Sequence, residues 1–207
     1  MKSPFLVYEE FLSPLECEQI IEGNNNTYPN YDRDGKILPL YFGNVLAEVR
    51  ITPRIVEQVI PDIESHFGVE VQGIKKFTME WYATGYSGGK PRCENSIMTD
   101  RGWRRANNND FTGVIFLNQY QDKTPFDDYF EVFGGRLEFP THKFSFNPQR
   151  GTLIVFPGAP NFINHTEAVR SGELTQVRFH IATHELFVYD RMKFQGTPEN
   201  WFKGELT

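Results

Sequence analysis

Polar and apolar side chains alternate along a strand that we predict near the end of the chain, at 174–182. Gln176, Arg178 and His180 fall on one face of this strand, and the apolar side chains between them fall on the other. An outward polar surface would give this pattern, and so would the lining of a cavity. We favour the cavity, because arginine and histidine are costly to bury unless an anion or a metal ion binds them.

Composition predicts a globular protein. Of its 207 residues, 39% are hydrophobic and 23% are charged, a balance that excludes a disordered chain. The 27 acidic and 21 basic residues give a net charge of −6, which argues against a broad nucleic-acid-binding surface. No apolar run could span a membrane, two cysteines cannot build a disulfide framework, and the start does not look like a signal peptide. We therefore expect a cytoplasmic protein without a membrane or nucleic-acid partner.

Helices followed by short strands must position these side chains. Ser13 and Pro14 predict the start of one helix, which Gly23 and the three asparagines at 24–26 end, and an apolar stripe predicts another at 53–67, which Pro61 would split. Strands are predicted at 38–42, 77–83, 111–117, 136–139, 152–156, 162–163 and 174–182. This order predicts an α+β single domain over 1–207, with mainly helical support at 1–70 and a β sandwich or barrel at 75–190.

Four motifs follow one another in the second half of the chain. They are Ile115-Phe116-Leu117-Asn118, the glycine pair and strand at 134–139, the turn and strand at 148–156, and His165. In this order they resemble the Fe(II)/2-oxoglutarate-dependent oxygenases of the prolyl 4-hydroxylase-like branch. The resemblance extends from residue 7 to about residue 183. It implies a double-stranded β-helix, a jelly-roll or cupin-like barrel with the N-terminal helices packed on one sheet.

The resemblance also implies where iron and 2-oxoglutarate bind. The family holds iron with a His-x-Asp pair and a distal histidine, which leaves three positions open for the cosubstrate and oxygen. His165 matches the distal histidine. Arg178 matches the basic residue that holds the far carboxylate of 2-oxoglutarate. Tyr82, Asn118 and Gln176 are further expected cosubstrate contacts.

At the proximal pair the sequence departs from the family. The His-x-Asp position aligns with Cys93-x-Asn95, and no histidine occurs at 67–141. Neither residue is an expected Fe(II) ligand in this superfamily. Cys93 has two interpretations, a small buried residue or a thiolate ligand.

Three alternatives remain open for the proximal site. Glu94 could supply the carboxylate, with Asn95 or a water beside it, and Cys93 is a further candidate ligand. Asp100 or Asp110 could instead fold in from the loop that contains them. In the third alternative the site is degenerate and binds no iron.

Two functions of different classes follow. The first is an Fe(II)- and 2-oxoglutarate-dependent oxygenase that hydroxylates a peptidyl carbon, prolyl carbons included, or a small-molecule carbon. The second is a catalytically degenerate barrel that acts as a binding or assembly module. A cupin-like enzyme with another metal is a third and weaker option.

Three arginines surround Trp103, and they are interpreted as solvated surface or as a binding site for an anionic substrate: Arg101, Arg104 and Arg105.

Overall fold

The computed structural model describes residues 2–27, 37–39, 45–75, 77–123, 130–185, 187–190 and 192–194. Its helices are α1 (Pro14–Thr27), α2 (Val45–Arg54) and α3 (Ile60–Phe67). The strands of the first half are β1 (Leu6–Tyr8), β2 (Ile37–Pro39), β3 (Val71–Ile74), β4 (Thr78–Ala83), β5 (Ser96–Thr99) and β6 (Gly102–Arg105). Those of the second half are β7 (Phe111–Phe116), β8 (Gln119–Tyr120), β9 (Glu131–Gly134), β10 (Leu137–Phe139), β11 (Phe144–Phe146), β12 (Leu153–Pro157), β13 (His165–Thr166) and β14 (Val169–Thr183).

The first helix begins where the sequence predicts, at Pro14. Ser13 and Glu16 form a reciprocal cap, in which the Ser13 amide donates to Glu16 Oε2 at 2.8 Å and the Glu16 amide donates to Ser13 Oγ at 3.3 Å. The predicted end at Gly23 and the asparagines 24–26 is too early, because the helix continues through them to Thr27. Glycine lowers helix stability without forbidding a helix.

The second predicted helix is longer than expected, and Pro61 does not split it. One π-helical turn at Ile55–Val59 joins α2 directly to α3, and Pro61 is the second residue of α3. A proline ring clashes with the carbonyl four residues earlier in a regular α-helix. The π turn just before the proline changes the position of that carbonyl, and the helix continues through Pro61.

Most strands belong to one large sheet. Its main path is β1-β12-β7-β14-β4-β2, while β3 and β9 pair with β14, and β8 pairs with β9. A smaller sheet has the order β11-β10-β13, and β5 and β6 form a separate hairpin. β14 is the central strand, because it pairs with β3, β4, β7 and β9 along its 15 residues.

Two apolar cores lie on opposite faces of the large sheet. The helix-side core joins α1 and α3 to side chains such as Val177, Phe179 and Ile181. The inner core joins the large sheet to β10 of the small sheet, through side chains such as Phe156, Leu174 and Phe139. The helices of the described residues therefore pack on one face, as expected, and the other face is available to position a site.

The strand predictions succeed where turns bound an apolar run. The predicted strands at 77–83, 111–117, 136–139 and 152–156 correspond to β4, β7, β10 and β12, and β14 extends beyond the predicted 174–182. The prediction at 162–163 is wrong, since Pro160–Phe162 forms a 3₁₀ turn and β13 follows it. Of the predicted strand at 38–42, positions 40–42 lie outside the described residues. No helix in the described ranges is both long and apolar enough to cross a membrane.

Candidate functional site

The polar face of β14 points to the inner side of the large sheet. Leu174, which shares this face by alternation, belongs to the inner core, while Val177 and Phe179 belong to the helix-side core. Gln176 and Arg178 are buried, with 0% and 2% of their surface exposed. The polar side chains therefore line the interior, as the sequence predicts.

On the inner face of the large sheet, Arg178 is part of a cluster of two arginines and two glutamates, which we call the inner charge cluster: Glu80, Arg92, Glu94 and Arg178. Arg178 Nε lies 3.1 Å from Glu80 Oε1, and its Nη1 lies 2.8 Å from Glu94 Oε1. Arg92 Nη2 lies 2.7 Å from Glu80 Oε1, and its Nε lies 3.1 Å from Glu94 Oε1. Each arginine thus binds both glutamates, and the four charges cancel.

The arginines keep both carboxyl groups ionised. Burial alone would raise the pKa of Glu80, but Arg178 and Arg92 lower that pKa to about 2. The pKa of Glu94 is likewise lowered, because the same two arginines outweigh its burial. Gln176 also donates a hydrogen bond to Glu80 Oε2.

Glu94 Oε1 is the centre of this cluster. Besides the two arginines, it accepts a hydrogen bond of 3.3 Å from Nδ2 of the fully buried Asn164. The backbones of Arg92 and Asn164 form a β-bridge, with both N–H···O distances at 2.9 Å. Positions 92, 94 and 164 therefore converge on one point.

Of the three proximal candidates, only Glu94 belongs to the cluster. Cys93 Sγ lies 3.2 Å from the Gly158 carbonyl and 3.7 Å from Asn95 Oδ1, which also accepts a 2.7 Å hydrogen bond from Ser96. Burial raises the pKa of the Cys93 thiol, which disfavours a thiolate. The two loop acids are elsewhere. Asp100 is exposed in the turn of the β5–β6 hairpin, and Asp110 binds Arg105 and Thr183.

His165 is on the face of its short strand that does not point to the inner core. On β13 it pairs with Glu138 of β10, while the next residue, Thr166, pairs with Leu137, which belongs to the inner core. His165 Nε2 lies 3.0 Å from Glu138 Oε2. The residue that reaches Glu94 from this segment is Asn164.

The other expected cosubstrate contacts have separate roles. Asn118 Oδ1 accepts a 2.6 Å hydrogen bond from the Thr175 amide, which joins the end of β7 to β14. Tyr82 packs its ring 4.5 Å from that of Tyr86. These two tyrosines, with Lys90, Arg92, His165 and Thr166, line a cavity of about 130 Å³.

Comparison with known proteins identifies the fold. No family model and no curated protein matches the sequence. A viral collagen prolyl hydroxylase of Paramecium bursaria Chlorella virus-1, in a 2-oxoglutarate complex, matches with a TM-score of 0.65 and 16% identity over 88% of this chain and 97% of that one. A Trichoplax adhaerens prolyl hydroxylase bound to a peptide of hypoxia inducible factor matches with a TM-score of 0.60 and 12% identity, over 93% and 86% of the two chains. A Pseudomonas putida prolyl-4-hydroxylase matches with a TM-score of 0.58 and 12% identity, over 88% and 94%.

This chain has a prolyl hydroxylase fold. TM-scores of 0.58–0.65 establish the arrangement of elements, while identities of 12–16% leave the chemistry of the site to be judged from its own residues.

The residues that this prolyl hydroxylase fold presents do not fit an iron centre. Such a centre needs two imidazoles and a carboxylate around one point. All five histidines fall within the described ranges, and each has its own surroundings: His66 at the Ser3 carbonyl, His142 against Phe162, His165 at Glu138, His180 at Thr112 and His184 at Glu70. Among the described residues, no group of three His, Cys, Asp or Glu side chains could hold a metal ion.

Sequence reasoning missed three residues of the inner charge cluster and its surroundings: Glu80, Arg92 and Asn164. One signal was available. Glu80 is a lone acid between Met79 and Trp81 in a strand, on the face that alternation assigns to Tyr82. A buried acid needs a cationic partner, and Glu80 therefore indicates an arginine close to it in the fold.

Proposed function

We propose that this chain is a binding module in which a salt-bridge cluster replaces the iron and 2-oxoglutarate sites of an oxygenase. We also infer that its sheets close as a double-stranded β-helix, as the likeness to prolyl hydroxylases suggests. The observation that carries the proposal is the triple hydrogen bonding of Glu94 Oε1 by Arg92, Arg178 and Asn164. A carboxylate oxygen that accepts three hydrogen bonds from the protein has little capacity left for a metal ion.

Arg178, like Glu94, already has partners within the protein. Its side chain is 3% exposed and binds two carboxylates, so that the far carboxylate of 2-oxoglutarate would have to displace one of them. The displaced glutamate would then lose part of its compensation within the protein interior. Breaking a buried ion pair in this way costs about 3–5 kcal/mol.

The alternative is an Fe(II)- and 2-oxoglutarate-dependent oxygenase that hydroxylates a peptidyl or small-molecule carbon. The fold favours it, since the similar structures are prolyl hydroxylases, one in a 2-oxoglutarate complex and one with a bound peptide. In this alternative His165 and Glu94 are ligands and Arg178 holds the cosubstrate. It requires His165 to leave Glu138 and Glu94 to leave both arginines.

One titration separates the two functions. Fe(II) and 2-oxoglutarate are added under anaerobic conditions, and the visible charge-transfer band of a chelated iron complex is recorded. We expect no band, and the same result for His165→Ala. A band in the parent protein that His165→Ala abolishes would refute the binding module and support the oxygenase.

A further inference from the structure

The cavity beside the inner charge cluster has cationic and phenolic walls. Lys90, Arg92 and His165 line it together with Tyr82 and Tyr86, and no Asp or Glu is among its described lining residues. This is unusual for a chain with more acidic than basic residues. The carboxylates that neutralise Arg92 bind its Nε and Nη2, so that Nη1 remains for a ligand.

Three side chains at the cavity, His165, Tyr82 and Tyr86, have polar groups left for a bound ligand. His165 Nε2 is used by Glu138, while its Nδ1 is buried and has no hydrogen-bond partner among the described residues. Burial raises the pKa of Tyr82 and of Tyr86, so that both phenols stay protonated and can donate. Buried polar atoms in native proteins normally have hydrogen-bond partners, which favours a bound group at this position.

Size limits what that group can be. The cavity volume of about 130 Å³ is on the order of four water molecules in the liquid. A phosphate or a single carboxylate group is of this size. The two tyrosine rings, with centroids 4.5 Å apart, form one wall of the cavity beside Lys90 and Arg92.

We propose that this cavity binds one compact oxyanion, of the phosphate or carboxylate class, through Lys90, Arg92 and the two tyrosine hydroxyls. The inference rests on the proposed function, because it requires Arg92 to stay bound to Glu80 and Glu94 while its Nη1 is left for the ligand. It gives the binding module a ligand class.

The test is a titration of the metal-free protein with inorganic phosphate and, separately, with acetate. Binding is followed by calorimetry and by the amide shifts of Gly89 and Lys90, with sodium chloride at matched ionic strength as the blank. We expect saturable binding of at least one of the two anions at one site. The anion that binds more tightly tells whether the site favours tetrahedral or planar oxyanions.

Two variants identify the site. Lys90→Ala is expected to weaken binding roughly tenfold or more, as the loss of one charge-assisted hydrogen bond predicts. Tyr86→Phe keeps the ring contact and loses only the hydroxyl, so that a smaller decrease is expected. Lys123→Ala removes an exposed lysine that does not line the cavity and is expected to leave affinity unchanged.

The outcomes are distinct. No saturable binding of either anion, or equal affinity in Lys90→Ala and Lys123→Ala, would overturn the oxyanion site. Neither result bears on the iron titration, which alone decides between binding module and oxygenase.

Discussion

At the scale of single residues, guanidinium and carboxylate groups neutralise one another on the inner face of the large sheet. Two arginines balance two buried glutamates, and Asn164 completes the hydrogen bonds of Glu94. Such a cluster stabilises a fold only while it is complete, because each charge depends on the others.

Removing one arginine should therefore be costly. We predict that Arg178→Met lowers the free energy of unfolding by about 3–5 kcal/mol, since Glu80 and Glu94 would share Arg92 alone. Urea denaturation measures the change. Arg170→Met, whose side chain is 59% exposed, is the matched control and should cost less than about 1 kcal/mol. Similar losses in the two variants would mean that the buried cluster contributes nothing special.

A second prediction concerns which register faces the interior. The double variant Arg92→His, Asn164→His places two imidazoles beside Glu94 and should gain Co(II) binding, seen as visible absorption, that the parent lacks. Cys93→His, Asn95→Asp restores the family motif as the sequence aligns it, and it should gain none. Co(II) binding by the second variant alone would show that positions 93 and 95 face the site after all.

The pH dependence of stability gives a third prediction. Burial lowers the pKa of His180 from 6.5 to about 4, although Glu94 opposes the shift. The unfolded chain therefore takes up a proton at His180 before the folded chain does, and stability should decrease as the pH falls from 6.5 to 4. Glu80, with its pKa lowered from 4.5 to about 2, should cause a further decrease between those values.

Denaturation at a series of pH values measures this profile. His180→Asn should remove the part between pH 6.5 and 4 and leave the lower part. His184→Gln, whose histidine side chain is 50% exposed, serves as the control and should leave the whole profile in place. An unchanged profile in His180→Asn would assign the decrease to other groups.

At the scale of elements, β14 holds the site and the helix-side core together. Phe179 points to the helices and lies over Gly113 of the neighbouring β7, where an added Cβ would come within 2.2 Å of the ring. The same strand presents Arg178 to the other face. Packing on one face of β14 thus sets the position of the charge on the other.

We predict that Gly113→Ala lowers the free energy of unfolding by about 1–3 kcal/mol, because Phe179 cannot move without disturbing the helix-side core. Thermal or urea unfolding measures it. Gly73→Ala in β3, where an added Cβ meets nothing within 4 Å, is the matched control and should be nearly neutral. If both alanines are tolerated equally, the close packing of Phe179 on Gly113 is not a constraint.

At the scale of the whole molecule, both apolar cores use the same large sheet. Phe179 on one face and Leu174 on the other belong to one strand, so that neither core can be lost without the other. We predict a single unfolding transition, with circular dichroism and tryptophan fluorescence giving coincident curves. Two separated transitions would instead divide the chain into units and refute the single domain predicted over 1–207.

Local patterns carried much of the fold. The cap at Ser13 and Pro14, the turn-bounded strands and the alternation along β14 depend on neighbours in sequence, and the sequence predicts them. β1 was not found, because a strand of three residues shows too little periodicity. The prediction that Pro61 splits the second helix was wrong, because a π turn precedes the proline and the helix continues.

The sequence by itself determined that Arg178 shares one face of its strand with Gln176 and His180, since side chains alternate strictly along a strand. Only the tertiary structure decided what Arg178 meets, because Glu80 and Glu94 come to it from 98 and 84 residues away in the chain. It also decided that 92 and 94, and not 93 and 95, face the cluster. The physical reason is the period of two, since a shift of one residue moves every side chain to the opposite face and no local pattern fixes which face a loop presents.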